Sequence, residues 1–134
     1  MSPLPEVPPA LRQLMAEIGP RWAQDTRGHI KLMVERFSAV LAAAPGCPDV
    51  KADIAYGAHE RQRLDVFLPP DGRTGRAAVI FVHGGGFTDG HRNRTPEIYA
   101  NVLNYFARFG IVGVNIGYRL APEARYPDAT QDVA

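Results

Sequence analysis

The sequence predicts an α/β fold in which two helices precede a β-hairpin and a strand–helix–strand unit. Three patterns support this prediction. Apolar residues recur every three or four positions early in the chain, they alternate with polar residues further on, and they dominate two short segments, Ala77 to Val82 and Ile111 to Ile116. With 134 residues, the chain is long enough for one ordinary domain and too short for two.

Two amphipathic helices are predicted in the first third of the chain. The first begins near Pro9, a residue that suits the first helical turn, and ends at Gly19-Pro20. The second begins near Asp25 or Thr26 and ends at Pro45-Gly46. Their apolar faces are Leu11, Leu14, Met15 and Ile18 in the first helix, and Ile30, Val34, Phe37 and Leu41 in the second. Because the opposite faces are polar, both helices must lie on another part of the protein.

The strands come next. Val50 to Tyr56 and Gln62 to Leu68 are typical of strands, and Gly57 to Arg61 is a suitable hairpin connection between them. A turn follows at Pro69-Pro70-Asp71-Gly72. The run from Ala77 to Val82 is apolar on both faces, which predicts a central strand of a covered parallel sheet.

A helix is predicted between the two apolar strands. Thr95 can cap it, Pro96 fits its first position, and Glu97 favours its positive end. Gly110 ends it before the strand Ile111 to Ile116. The predicted inner face consists of Ile98, Val102, Phe106 and Phe109. The unit is then a βαβ crossover, which we expect to be right-handed.

Three consecutive glycines follow the strand at Ala77 to Val82, in the segment His83-Gly84-Gly85-Gly86-Phe87. Active sites of open α/β sheets lie at the carboxyl ends of the strands. Each glycine loses much conformational entropy on folding, so a run of three needs a reason. Without side chains in the way, backbone N–H groups can turn inward and bind the oxyanion that develops during acyl transfer. We therefore expect an oxyanion-binding loop here.

A second motif accompanies the glycine loop. Tyr118-Arg119-Leu120-Ala121-Pro122-Glu123 follows the next predicted strand, and Tyr126-Pro127-Asp128-Ala129 then begins a short helix. In their order and spacing, these motifs resemble the HGGG loop and the YRLAPE segment of the hormone-sensitive-lipase-like esterases, a branch of the α/β-hydrolases. The resemblance covers Asp53 to Ala134. In that family, helices such as the two at the N-terminus contribute to a cap over the active site.

The resemblance implies an activity and a role for each loop residue. The activity is carboxylic ester hydrolysis, with a small-molecule ester as the substrate. Gly85 and Gly86 are expected to supply the oxyanion-hole N–H groups, whereas His83 and Gly84 shape the loop. His83 is therefore not expected to be the catalytic base. Two residues of the second motif are expected to be scaffold around the site: Arg119 and Glu123.

The family's catalytic triad has no counterpart in this chain. The family nucleophile lies in a G-x-S-x-G elbow, and the acid and the histidine follow it. The only serines, Ser2 and Ser38, do not lie at strand ends. We therefore expect nucleophile, acid and base to come after Ala134, and the chain alone to be inactive. The expected organisation is a cap-like helical segment at 1–48 and, at 49–134, the N-terminal part of an α/β-hydrolase domain that stops before the elbow.

Composition excludes several other classes of function. The net charge of +1 gives no electrostatic reason to bind nucleic acid. No signal peptide or membrane span is evident, and the single Cys47 cannot form an internal disulfide, so we expect a cytoplasmic protein. We expect no cofactor and no metal.

The sequence gives less support to three other kinds of site: a dinucleotide-binding loop, a metal site and a cysteine nucleophile. Gly84, Gly86 and Gly90 have one residue too many for a dinucleotide-binding fingerprint, and no ribose-binding acid follows the next strand. A metal site would draw on His83, Asp89 and His91, but a histidine beside a glycine turn is more often structural. Cys47 has no predicted partner base. Two functional alternatives stay open, namely a non-catalytic α/β-hydrolase-like module and an amidase or formamidase relative.

One expectation concerns association. In the topology that the resemblance implies, the strand at Ala77 to Val82 pairs on one side with Ile111 to Ile116. On its other side lies the strand that leads to the nucleophile elbow. That strand is missing here, so an apolar edge without charge or proline is left open, and we expect the isolated chain to self-associate through it.

Overall fold

Two helices and a 3-10 segment form the first part of the structure. The computed structural model describes residues 6–47, 49–72 and 74–134. Helix α1 spans Pro9–Ile18, the 3-10 segment Gly19–Gln24, and helix α2 Thr26–Leu41. Leu11 and Ile18 of α1 are buried, and Asp25 caps α2 by accepting a hydrogen bond from the Gly28 amide at 3.0 Å. The two predicted helices are therefore confirmed.

Helix α2 ends earlier than predicted, at Leu41 rather than at Pro45-Gly46. The next amides bond to the carbonyl three residues back, as in a 3-10 turn, and not four back as in an α-helix. Ala43 bonds to Val40 at 3.3 Å and Ala44 to Leu41 at 2.9 Å. A residue before proline is disfavoured in the helical region, so the chain leaves the helix before it reaches Pro45.

Four strands form one mixed sheet in the order β1-β2-β4-β3. Their bounds are Asp49–Ala55 for β1, Arg63–Leu68 for β2, Ala78–Val82 for β3 and Val112–Ile116 for β4. Strand β2 pairs antiparallel with both β1 and β4, and β3 pairs parallel with β4. The predicted hairpin and βαβ unit are thus confirmed.

Strand β3 lies at the edge of this sheet, whereas its apolar sequence predicts a central, covered strand. Within the described residues, it pairs with β4 alone. Ile80 and Val82 remain 54% and 44% exposed. The apolar pattern is that of a strand covered on both faces and paired on both sides, and the described residues supply only one of its neighbours.

Helix α3 spans Ala100–Arg108 and begins four residues later than predicted, since Pro96 was the predicted first position. Thr95 does cap a turn, since its Oγ1 accepts from the Ile98 amide at 3.0 Å. That turn does not continue into the helix, because Tyr99 takes a left-handed φ of 37°. The predicted start at Thr95 was therefore wrong.

The predicted inner face of α3 is also wrong in part. Leu103 and Ala107 are 0% and 1% exposed, whereas the predicted Phe109 is 55% exposed. Leu103 packs directly on Gly113 of β4, where a Cβ atom would come within 2.6 Å of its side chain. Together with Phe67, the two helix residues form the core of the sheet's α3 face.

A short helix, α4 (Asp128–Val133), ends the chain. Its position agrees with the helix start predicted at Asp128. Within the described residues, no helix combines the length and the apolar character needed to cross a bilayer.

Candidate active site

The glycine loop, defined as residues 83–90, begins directly after β3, at the carboxyl end of the parallel pair. The segment that follows β4, beginning at Gly117, leaves the sheet at the same edge because β3 and β4 run in the same direction. An open pocket of about 850 Å³ lies between α2 and the loop, with Ile30 and Val34 on one side and Gly84 and Gly85 on the other. Helix α2 and the glycine loop therefore border the same open pocket.

Most carbonyl groups of the glycine loop accept hydrogen bonds, either from within the loop or from the rest of the protein. The carbonyl of Gly85 accepts from the Thr88 and Asp89 amides at 3.2 and 3.1 Å. Four others accept one bond each: His83 from Tyr118 Oη at 2.6 Å, Gly84 from His83 Nδ1 at 2.8 Å, Phe87 from the Ala121 amide at 2.8 Å, and Gly90 from Arg61 Nη2 at 2.6 Å.

The amides show the opposite pattern. Across the residues that the structure describes, the N–H groups of Gly84, Gly85 and Gly86 donate to no protein acceptor. All three residues are exposed, so water or a ligand can reach these amides. A loop whose carbonyls are fixed and whose amides are free can bind an anionic oxygen without first breaking its own hydrogen bonds.

The glycines of the loop differ in whether a side chain could take their place. Gly85 has φ 136°, and a Cβ there would lie 1.8 Å from the Asp89 carbonyl oxygen. Gly90 has φ 99°, and its Cβ would meet the Gly84 carbonyl at 2.3 Å. Gly86 has φ 61° but open space around it, and Gly84 has neither a positive φ nor a close neighbour.

These contacts predict the effect of a side chain at Gly85. In Gly85→Ala, the collision with the Asp89 carbonyl oxygen forces the backbone to move. The steric demand for glycine falls on Gly85 and Gly90, whereas nothing in the described structure demands it at Gly84, which was expected to shape the loop. Phe87 also takes a left-handed φ of 62°, and such strain is typical of functional sites.

His83 is buried, at 2% exposure, and its ring stacks on Tyr118 with centroids 4.4 Å apart. Burial lowers the pKa of His83 below its ordinary value, so the imidazole is neutral at pH 7. Its Nδ1 then donates to the Gly84 carbonyl, and Nε2 has no partner among the described residues. This arrangement supports a structural role for His83.

Tyr118 belongs to the predicted second motif and contacts the loop directly. Burial raises the pKa of Tyr118, so its hydroxyl remains protonated and donates to the His83 carbonyl. The main chain of the motif contacts the loop as well, because the Ala121 amide donates to Phe87. The two sequence motifs thus form one structural unit.

A buried polar cluster anchors the segment that follows the loop. Asp65 of β2 accepts from Arg92 Nε at 3.2 Å and from Asn93 Nδ2 at 3.1 Å. Arg92 also binds Asp53 at 2.6 Å, and Asn115 of β4 donates to the Arg92 carbonyl at 2.8 Å. Asp65, Arg92 and Asn115 are 4%, 6% and 0% exposed. A buried ion pair adds little net stability, but it fixes geometry because breaking it leaves a buried charge.

Helix α4 is fastened to the second motif by Arg119, a predicted scaffold residue. Its Nη2 and Nε donate to Asp132 at 2.7 and 3.0 Å, and Gln62 donates to the same carboxylate at 2.8 Å. Burial alone would raise the pKa of Asp132, but these hydrogen bonds outweigh it and hold the pKa below its ordinary value. Glu123, the other predicted scaffold residue, lies 3.3 Å from His59.

The described side chains include no activated nucleophile. Ser38 lies in α2, where its Oγ bonds Thr95 Oγ1 at 2.8 Å. The Cys47 thiol contacts the Leu68 carbonyl at 2.9 Å. Neither side chain touches a histidine, and Ser2 lies outside the described residues. Across the described ranges, no three His, Cys, Asp or Glu side chains cluster as metal ligands would, and this includes His83, Asp89 and His91.

Several residues that hold the site were not predicted from the sequence. Arg61 was assigned only to a hairpin connection, and Asp65 and Arg92 received no role. Their contacts join positions 27 to 57 residues apart, and no local pattern marks such pairs. The one available signal was the charge of Asp65 inside a strand that otherwise alternates towards a core.

Comparisons with known proteins show which family this chain resembles. The family model BD-FAE matches residues 64–134. Ethyl acetate hydrolase from Pseudomonas putida is 31% identical over 102 residues, which is 73% of this chain and 31% of the hydrolase. Esterase LipC from Mycobacterium tuberculosis (strain ATCC 25618 / H37Rv) is 41% identical over 81 residues, 60% of this chain and 19% of LipC.

A solved structure has a similar fold. Esterase B from Lactobacillus rhamnosis superimposes with a TM-score of 0.57 and 27% identity, over 91% of this chain and 36% of esterase B. The chain thus spans about a third of the length of ethyl acetate hydrolase and of esterase B. Because the family model covers more than half of the sequence, the chain belongs to the BD-FAE family of α/β-hydrolase esterases.

Proposed function

We propose that this chain is the oxyanion-hole part of a carboxylic ester hydrolase, with the amides of Gly85 and Gly86 as the donors. A serine from outside the chain, whose proton passes to a base that is also outside it, attacks the ester carbonyl carbon, and the carbonyl oxygen becomes an oxyanion held by the two N–H groups. The carbon–oxygen bond to the alcohol then breaks, the alcohol takes up that proton and leaves, and water hydrolyses the acyl-enzyme to the acid and the free serine. Each donor of this kind is worth about 3 kcal/mol of barrier.

One observation supports this proposal above the others. Most carbonyls of the loop accept hydrogen bonds, the amides of Gly84, Gly85 and Gly86 donate to no described acceptor, and Gly84 and Gly85 line an open pocket. All three glycines are exposed, so an oxyanion could reach their amides without breaking a hydrogen bond inside the protein.

We also propose that the 134-residue chain has no turnover by itself, because the hydroxyl of Ser38 and the thiol of Cys47 have no base to activate them. The purified chain, incubated with p-nitrophenyl acetate, should release nitrophenol at the rate of buffer alone. Turnover that disappears in Ser38→Ala or Cys47→Ala would show that the chain contains its own nucleophile.

The positive test uses a fusion in which this chain replaces the matching region of ethyl acetate hydrolase, hereafter the fusion enzyme. It should hydrolyse p-nitrophenyl acetate and leave p-nitroacetanilide, the corresponding amide, nearly untouched. A preference for the anilide would favour an amidase, and a folded but inactive fusion, checked by circular dichroism, would favour a non-catalytic module.

A further inference from the structure

Arg61 lies where the two loops of the site meet. It belongs to the connection between β1 and β2, and its side chain is half-buried. Its Nη2 donates to the Gly90 carbonyl at 2.6 Å, and its Nε donates to the Tyr118 carbonyl at 3.0 Å. One guanidinium thus joins the end of the glycine loop to the motif that follows β4.

Both partners of this guanidinium are backbone carbonyls. Within the described part of the chain, Arg61 contacts no carboxylate. Hydrogen bonds from a charged donor are shorter and roughly twice as strong as those between neutral groups. Arg61 therefore holds two backbone carbonyls in place instead of neutralising an acid.

Arg61 is itself held in position. Its amide donates to His59 Nδ1 at 3.1 Å. Its carbonyl oxygen lies so close to Gly117 that a Cβ there would approach it to 2.6 Å. The backbone that carries the guanidinium therefore rests on the end of β4, and the side chain starts from a fixed point.

The two bonds reach both ends of the glycine loop. Arg61 holds the Gly90 end directly. Through the Tyr118 carbonyl it holds the residue whose hydroxyl binds the His83 carbonyl at 2.6 Å and whose ring stacks on the His83 imidazole. Gly85 and Gly86 lie between these two fixed ends, so the direction of their amides depends on both.

We propose that Arg61 is a positioning residue of the oxyanion hole, a role that rests on the proposed function of the loop. It acts through Gly90 and Tyr118 and does not touch the substrate. Lysine cannot replace it, because an ammonium at the end of a flexible stem has no donor at the Nε position and cannot reproduce the fork.

Hydrogen exchange on the full chain tests this role without any need for activity. In Arg61→Lys, the Thr88 and Asp89 amides, which close the loop on the Gly85 carbonyl, should exchange at least about tenfold faster than in the parent. Arg21→Lys is the matched control, because Arg21 also donates from Nε to a carbonyl, that of Glu17, but far from the loop in sequence and outside the site. Tyr118→Phe, which keeps the ring and loses the bond to His83, should accelerate the same amides. Unchanged loop exchange in both Arg61→Lys and Tyr118→Phe would overturn the proposal.

The fusion enzyme provides the catalytic test. Arg61→Ala should lower kcat about tenfold or more with little change in KM, and added guanidinium should restore part of the lost kcat. Arg21→Ala should show neither effect. A kcat that is unchanged, or that guanidinium does not restore, would contradict the positioning role. If the parent fusion is folded but inactive, the proposed function fails, and the exchange result still decides whether Arg61 holds the loop.

Discussion

His83 is a buried histidine whose proton uptake opposes folding. Burial lowers its pKa from 6.5, so below pH 6.5 the unfolded chain binds a proton that the folded chain does not. The free energy of unfolding should therefore be at its plateau above pH 6.5 and should fall as the pH is lowered towards the folded-state pKa. One such group changes it by at most about 1.4 kcal/mol per pH unit. Denaturant melts across this range will measure the slope.

The variant His83→Phe tests this assignment. Phenylalanine keeps a ring against Tyr118 but cannot titrate, so it should flatten the pH dependence below 6.5. A dependence that survives unchanged in His83→Phe would place the titrating group elsewhere.

Helix α3 packs on the sheet through a different face from the one that its apolar residues suggest. Leu103 is fully buried against Gly113, so Leu103→Ala should cost about 2–5 kcal/mol of unfolding free energy. Phe109, which the sequence pattern assigns to the inner face, is 55% exposed, and Phe109→Ala should cost less than about 1 kcal/mol. Urea melts of both variants at one protein concentration will measure the two costs. A larger loss for Phe109→Ala would mean that the helix packs as the sequence pattern suggests.

The wrongly predicted start of α3 shows that a local sequence pattern does not decide where a helix begins. Thr95-Pro96-Glu97 is a good helix start, and the structure uses Thr95 as a cap, but Tyr99 turns the backbone before the helix begins. The four strands were predicted to within a residue or two, because alternation and continuous apolar runs depend on neighbours in sequence. The space at Gly113 is filled by Leu103, ten positions away in the sequence, and only the folded structure shows this contact.

The same distinction applies to the site. The glycine loop and the Tyr118 motif are contiguous segments, so the sequence alone indicated both. The contacts that fix them, from Arg61 to Gly90 and from Asp65 to Arg92, join residues 29 and 27 positions apart. Such pairs leave no periodic trace, and their roles could be assigned only from the structure.

The two edge strands of the sheet differ in how well they are protected against pairing with another chain. Strand β1 carries charges at Asp49, Lys51 and Asp53 and an irregular register between Lys51 and Ile54, both of which discourage pairing with another chain. Strand β3 has no charge and no proline, and it exposes Ile80 and Val82. We therefore predict that the isolated chain associates through β3.

Size-exclusion chromatography with light scattering will test this association. The parent chain should elute as a dimer or larger, and Ile80→Lys should shift it towards monomer because a charge on the edge opposes pairing. Ile54→Lys on β1 is the control for added charge, since Ile54 is 41% exposed at the other edge. A monomeric parent chain with a sharp two-state melt would contradict the prediction and favour a self-sufficient module.

The oxyanion-hole role of the glycine amides is tested most directly by kcat for p-nitrophenyl acetate in the fusion enzyme. Gly86→Ala places a methyl group on a backbone with φ 61°, a conformation that strains an L residue, while Gly84→Ala meets no neighbour and no positive φ. The predicted result is a kcat lowered roughly a hundredfold by Gly86→Ala and changed less than about threefold by Gly84→Ala, with both proteins folded. Equal kcat values for the two variants, or a loss confined to Gly84→Ala, would contradict the assignment.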